Sequence, residues 1–199
     1  MVLGALVMGM TLTSGLLLLL EPGPVAPLTG ITLQSVDRAT EPAERLFDTT
    51  QAKPWLAIVI HDSGGLTGSS ESLNTLHENA GLGGLGYHFV VNNGSGQSDG
   101  LIEVGFRWQR QFNGNYVQGE GADWFNNNAI GICLVGDADR RSFTEAQLRE
   151  LVWLVQQLQR KFGIPSDAVF VEVGGGENGP SRLFPYAWFR GQLLSPQTP

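Results

Sequence analysis

Cysteine, histidine and cationic side chains are all scarce in this chain of 199 residues. The single cysteine, Cys133, excludes an intrachain disulfide framework. The 12 Lys and Arg residues are outnumbered by 19 Asp and Glu residues, and the net charge of −7 argues against a nucleic-acid partner, which selects a basic surface. All three histidines lie in the first half of the chain, and none follows His88.

The N-terminal region lacks charge. Residues 1–20 contain no charged side chain, and no Lys or Arg precedes Arg38. Twenty helical residues span about 30 Å, which matches the hydrocarbon thickness of a bilayer. We expect either a signal peptide or an uncleaved membrane anchor, and the missing basic start leaves both open. The protein is therefore expected to be exported, to the periplasm or cell envelope, or to be anchored in a membrane.

The sequence after residue 20 predicts a linker and one domain. Residues 21–52 contain proline and threonine with weak periodicity, as linkers do, and residues 53–199 hold the folded unit. Strands mixed with helices predict an α/β (α+β) domain with a central mixed β-sheet flanked by helices. Short apolar runs predict strands at 56–61, 86–93, 101–106, 129–136 and 168–173, the second and third forming a hairpin.

Three helices are expected, at 70–80, from Glu145 to about Phe162, and near 185–194. The second has the strongest pattern, because its apolar residues recur at helical spacing and Gly163 follows them. Ser142 and Glu145 have the spacing of a capping box at its start.

Two motifs are misleading. The glycines of residues 81–86 match a dinucleotide-binding pattern, but they follow a helix and open a strand, the reverse of what phosphate binding requires. Ser63 lies close to His61 but lacks the strained turn of a nucleophilic serine. Neither motif supports nucleotide binding or serine catalysis.

Six segments, taken in order, resemble the N-acetylmuramoyl-L-alanine amidase fold that zinc amidases share with peptidoglycan recognition proteins. The resemblance covers residues 53–193 and implies a groove that receives a glycan-linked peptide, with peptidoglycan or muropeptide as partner. The segments read IVIHDSGG, GLGGLGYHFVVNN, DGLIEVGFRWQRQFNGNY, NNNAIGICLVGD, FTEAQLRELVWLVQQL and GPSRLFPYAWFRGQL.

In the family, two histidines and a cysteine or aspartate hold a zinc ion that activates water. The resemblance places His61 at the first ligand position and Tyr87 at an active-site tyrosine of some members. The second ligand position falls near Glu172, and Gly179 occupies the third. Most of the zinc ligands are missing, so we expect no bound zinc unless His61, Glu172 and Glu177 form a substitute site.

Three functions remain open. The first is a degenerate family member that binds muropeptide without cleaving it. The second is an active amidase, and the third is an anchored interaction protein without catalysis. By family position and polarity, the expected ligand contacts are His61, Arg107, Trp108, Tyr116, Trp124 and Asn126.

Overall fold

The central strand forms from a run of apolar, mostly β-branched residues. In the computed structural model this strand is Ala57–Asp62 (β2), and the side chains of Ala57 to Ile60 are completely buried. Such a run suits a strand that is covered on both faces. The structure describes residues 34–36, 52–174 and 181–194.

Strands on both sides of β2 complete a mixed sheet, as predicted. The other strands are β1 Gln34–Val36, β3 Phe89–Val91, β4 Ile102–Val104, β5 Ala129–Leu134 and β6 Val169–Glu172. The order among the described strands is β1-β4-β3-β5-β2-β6. β2 is parallel to β5 and β6, and β3 is parallel to β5, whereas β4 is antiparallel to both β3 and β1. The antiparallel β3–β4 pair confirms the expected hairpin.

Five helices flank the sheet within the described residues, and two of them were not expected from the sequence. The unexpected ones, Phe106–Gln109 (α2) and Ala122–Asn128 (α3), have 4 and 7 residues, too few to display a helical period. A 3-10 turn, Ser166–Ala168, precedes β6. The bounds are α1 Ser70–Asn79, α2 Phe106–Gln109, α3 Ala122–Asn128, α4 Glu145–Phe162 and α5 Tyr186–Gln192.

The long helix α4 has a different N-terminal cap from the one its sequence suggested. The Thr144 hydroxyl accepts a hydrogen bond from the Gln147 amide, and the Gln147 side chain accepts one from the Thr144 amide. The expected capping box of Ser142 and Glu145 was wrong by two residues, because Glu145 is already the first helical residue. At the other end, Gly163 adopts a φ of 66°, which confirms the expected glycine stop.

The two faces of the sheet are covered differently. Ile58 and Ile60 of β2 pack into the large core under α4 and α5. Val59 points to the opposite face, where it packs with Ala57 and with Phe125 of α3. Because side chains alternate along a strand, His61 shares the face of Val59. The candidate site therefore lies on the face opposite α4.

No helix among the described residues combines the length and the apolar character needed to cross a bilayer. The predicted signal peptide or anchor, residues 1–20, lies outside these residues, as does most of the predicted linker.

Candidate functional site

A row of side chains crosses the sheet near the carboxyl ends of its parallel strands. The pairing register aligns Val90 of β3 with Cys133 of β5, Cys133 with His61 of β2, and His61 with Glu172 of β6. Aligned residues of paired strands project from the same face. Register thus places an imidazole beside a carboxylate, although the two residues are far apart in the sequence.

His61 and Glu172 form the polar centre of this row. Nε2 of His61 lies 3.6 Å from Oε2 of Glu172, beyond ordinary hydrogen-bond length. The His61 side chain is 18% exposed and that of Glu172 is 48% exposed. Burial lowers the pKa of His61, and the charge of Glu172 offsets this effect only in part. At neutral pH the imidazole is therefore uncharged, and its buried Nε2 has no hydrogen-bond partner within the described residues.

Two stacked tyrosines enclose His61. The rings of Tyr87 and Tyr116 lie 5.5 Å apart and are inclined by 17°. Their centroids are 5.8 Å and 5.7 Å from the imidazole. Burial raises the pKa of both phenols, so each remains protonated at neutral pH. Tyr87, the expected active-site tyrosine, does lie beside His61, where it can act as a hydrogen-bond donor but not as an ionised base.

Tyr116 occupies a slot between two glycines. A methyl group on either Gly114 or Gly131 would overlap its ring. The Tyr116 hydroxyl donates a hydrogen bond of 2.8 Å to the carbonyl of Ala129. The expected ligand contact is therefore part of the site's floor, and its polar atom is turned toward the backbone.

Arg107 holds two loops together. Its guanidinium donates hydrogen bonds to the carbonyls of Leu85, Leu82 and Asn113, at 2.8, 2.9 and 2.9 Å. These bonds engage three of its five N–H groups. The structure thus gives this expected ligand contact a positioning role at the edge of the site.

Asn126 has a similar role. Its carbonyl oxygen accepts hydrogen bonds from the amides of Tyr116 and Val117, and its amide group donates to the carbonyl of Val117. It therefore orients the loop that carries Tyr116. Trp108 is 1% exposed and packs in the large core, so its expected contact with ligand was wrong. The short helix α2, which was not expected from the sequence, carries Trp108 among its buried residues.

Trp124 is the expected contact that remains open to solvent. Its side chain is 47% exposed on α3 and meets the ring of Phe125 edge to face, at 5.2 Å. Phe125 contacts Phe170 of β6 in the same way, at 5.3 Å. Phe170 shares a face of β6 with Glu172, two residues further along. An aromatic row thus leads from the surface to the His61–Glu172 pair, and the alternation along β6 is the sequence signal for it.

The other histidines serve the scaffold. Nδ1 of His88 accepts a hydrogen bond from the Gly131 amide at 2.9 Å, and Nε2 donates to the carbonyl of Phe112 at 3.0 Å. Complete burial lowers the pKa of His88 to about 3. Nδ1 of His77 accepts a hydrogen bond from the Gly86 amide.

Asp62, the residue after His61, has a positioning role that was not expected. Its Oδ2 accepts hydrogen bonds from the amides of Ala138 and Gly174, at 2.8 and 3.1 Å. These amides follow β5 and β6, so one carboxylate joins three strand ends beside the site. An acidic residue at the end of a buried parallel strand is the signal that indicates this role.

The described residues do not fit the zinc site that the resemblance implies. A catalytic zinc ion takes three protein ligands, and among the described residues no three His, Cys, Asp or Glu side chains group closely enough to hold a metal. His61 and Glu172 would supply two metal ligands. Nε2 of His61 has no hydrogen-bond partner within the described residues, so it is free to bind a metal. Glu177, the third member of the expected substitute site, lies outside the described residues, as does Gly179.

Comparisons with known proteins give a consistent result. The family model described as N-acetylmuramoyl-L-alanine amidase matches residues 51–179. The endolysin of Escherichia phage T7 is 32% identical over 91 residues, which are 43% of this chain and 52% of the endolysin. The endolysin of Klebsiella phage KP32 is 30% identical over the same fractions. The matched region thus spans about half the length of these curated relatives.

Solved structures agree on the fold. The N-acetylmuramoyl-L-alanine amidase LysC from Clostridium intestinale has a TM-score of 0.51 at 19% identity, covering 69% of this chain and 84% of that one. PGRP-SA of Apis mellifera has a TM-score of 0.51 at 18% identity, covering 79% and 98%. At these identities the likeness concerns the fold, and it agrees with the expected single α/β domain.

Proposed function

The chain belongs to the N-acetylmuramoyl-L-alanine amidase family, and on this premise we propose that it binds peptidoglycan-derived muropeptide without hydrolysing it. The observation that carries the proposal is the His61–Glu172 pair, which among the described residues offers two metal ligands where the family's chemistry uses three. Export to the cell envelope, expected from residues 1–20, belongs to the same proposal because peptidoglycan lies there.

The surroundings of the pair support a binding role. Arg107 and Asn126 hold the loops around it through backbone hydrogen bonds, so the site is ordered without a ligand. A site that is already ordered loses less entropy on binding. Half-exposed Trp124 provides an aromatic surface at the outer end of the aromatic row that leads to the pair, and such a surface suits the apolar face of a sugar ring.

The full-length protein is expected to bind soluble muropeptide with a dissociation constant below about 1 mM, without releasing a peptide amine. Calorimetry measures binding, and an amine-labelling assay on the same samples measures cleavage. The Trp124→Ala variant is expected to bind about fivefold more weakly, because the aromatic contact is lost.

Trp188→Ala is the matched control. Trp188 is 46% exposed, nearly the same as Trp124, but it lies on α5, which covers the opposite face of the sheet. Its replacement should leave the affinity unchanged. If no saturation occurs at millimolar muropeptide, the chain is not a muropeptide-binding protein. The hypothesis of a non-catalytic interaction protein is then favoured.

One observation favours a second candidate, an active amidase. The unpartnered Nε2 of His61 is a possible base for a water molecule, and Glu172 is close enough to stabilise the imidazolium that would form. An active amidase would release stem peptide with time, and the His61→Ala variant would release none. Release that is identical in the wild type and in His61→Ala would come from a contaminant and would rule it out.

A further inference from the structure

The Nε2 atom of His61 and the Oε2 atom of Glu172 face each other in the site at more than hydrogen-bond distance. The Glu172 carboxylate has only acceptor atoms, and Nε2 of neutral His61 is an acceptor when the ring proton is on Nδ1. Oε2 and Nε2 are 3.6 Å apart, and the buried Nε2 has no hydrogen-bond partner within the described residues. A buried polar atom without a partner costs free energy, which a ligand with suitable donors would recover.

The charge at this place is negative. The charged groups that shift the pKa values of His61, Tyr87 and Tyr116 include the carboxylates of Glu172 and Asp62, and none is a lysine or arginine. Arg107 donates to loop carbonyls instead, and Lys53 lies before the opposite end of β2, with its ammonium bonded to Asn113 and to a backbone carbonyl. Within the described part of the chain, a cationic ligand group would therefore meet no competing protein cation at the pair.

An ammonium group matches both acceptors. It carries a positive charge and several N–H donors that diverge from one atom, so one nitrogen can donate to Oε2 and Nε2 together. A neutral amide N–H supplies one donor and no charge. Glu172 lies on β6, at the end of the described strand order, and its half-exposed side chain can be reached from solvent.

We infer that the His61–Glu172 pair is a subsite for a primary ammonium group of the ligand. The inference rests on the proposed muropeptide binding and names the form of ligand preferred. In intact muropeptide the amine of L-alanine is acylated by the muramoyl group, whereas amidase cleavage leaves it free. The released stem peptide then carries an ammonium group at its N-terminus, and a basic residue within the stem is the other source of one.

Calorimetry on the full-length protein tests the subsite with the tripeptide L-alanyl-γ-D-glutamyl-L-lysine. Two derivatives are compared with it, acetylated either on the N-terminal amine or on the lysine side chain. We expect acetylation of one amine to weaken binding about tenfold, since a charge-assisted hydrogen bond is lost. The amine whose acetylation has this effect is the one that the pair binds.

Glu172→Gln retains the shape of the side chain and removes its charge. We expect the variant to bind the unmodified and the acetylated peptides with nearly equal affinity. Glu78→Gln, an exposed position at the end of α1, is the matched control and should retain the tenfold preference. Thermal melting of both variants checks that they fold.

The outcomes separate this inference from the proposed function. If all three peptides and intact muropeptide bind equally, or if Glu172→Gln keeps the preference, the ammonium subsite is refuted while muropeptide binding stands. If none of these ligands binds, the proposed function fails and the subsite fails with it. A preference for one unmodified amine that is lost only in Glu172→Gln supports both.

Discussion

Replacing Gly131 by alanine is expected to lower the free energy of unfolding by about 3 kcal/mol, because the added methyl group collides with the ring of Tyr116. Gly131 lies in the fully buried strand β5, so the backbone has little room to yield. Displacing the ring also strains the hydrogen bond from the Tyr116 hydroxyl to Ala129. Chemical denaturation followed by tryptophan fluorescence measures the change.

Two further variants identify the cause. In Gly131→Ala combined with Tyr116→Ala, the clash is absent, so the double variant should lose less stability than the two single losses together. Gly191→Ala is the matched control, since no atom lies within 4 Å of its added methyl group and the residue is inside α5. Alanine is expected to be neutral or favourable there. Equal losses of stability in Gly131→Ala and Gly191→Ala would show that the Tyr116 ring does not pack closely against Gly131.

Acidification is expected to destabilise the fold through His88. Its pKa is about 3 in the folded state and near 6.5 when the chain unfolds. Below pH 6.5 the unfolded chain therefore binds a proton that the folded protein does not bind. Stability from this group is complete above pH 6.5 and falls as the pH decreases toward 3, by about 2 kcal/mol at pH 5.

His88→Gln isolates this contribution. A glutamine can accept a hydrogen bond from Gly131 and donate one to Phe112, as the imidazole does, but it does not titrate. The variant should be less stable at pH 7 and should show a shallower loss between pH 6.5 and 5. Burial also lowers the pKa of His61 and His77, so part of the slope persists. An unchanged slope would show that His88 is protonated in the fold.

Much of the fold was predictable because its signals are local. The apolar run of β2, the helical spacing in α4 and the glycine at its end each depend on residues close together in the sequence. The cap of α4 was misplaced because Ser142 and Thr144 both suit a helix start, and the choice depends on where the tertiary structure places the first turn. The short α2 and α3 lack a period that sequence can reveal.

The site was only partly predictable, because its parts come from distant segments. The position of His61 at a strand end was evident, and its neighbour Glu172 follows from strand register. The roles of Arg107 and Asn126 depend on carbonyls and amides of surrounding loops. The sequence alone does not show whether a polar side chain contacts a ligand or the backbone. Trp108 was misassigned because burial depends on packing that only the folded chain defines.

The location of Glu172 on β6 has a consequence for motion. Among the described strands, β6 pairs with β2 alone, so it can separate from the sheet more readily than the strands between two neighbours. A ligand held by both His61 and Glu172 would tie this strand to its neighbour. Deuterium uptake at the amides of β6 should then slow when ligand binds, while uptake in central β5 stays the same, so that occupancy of the site is recorded as protection against exchange along one strand.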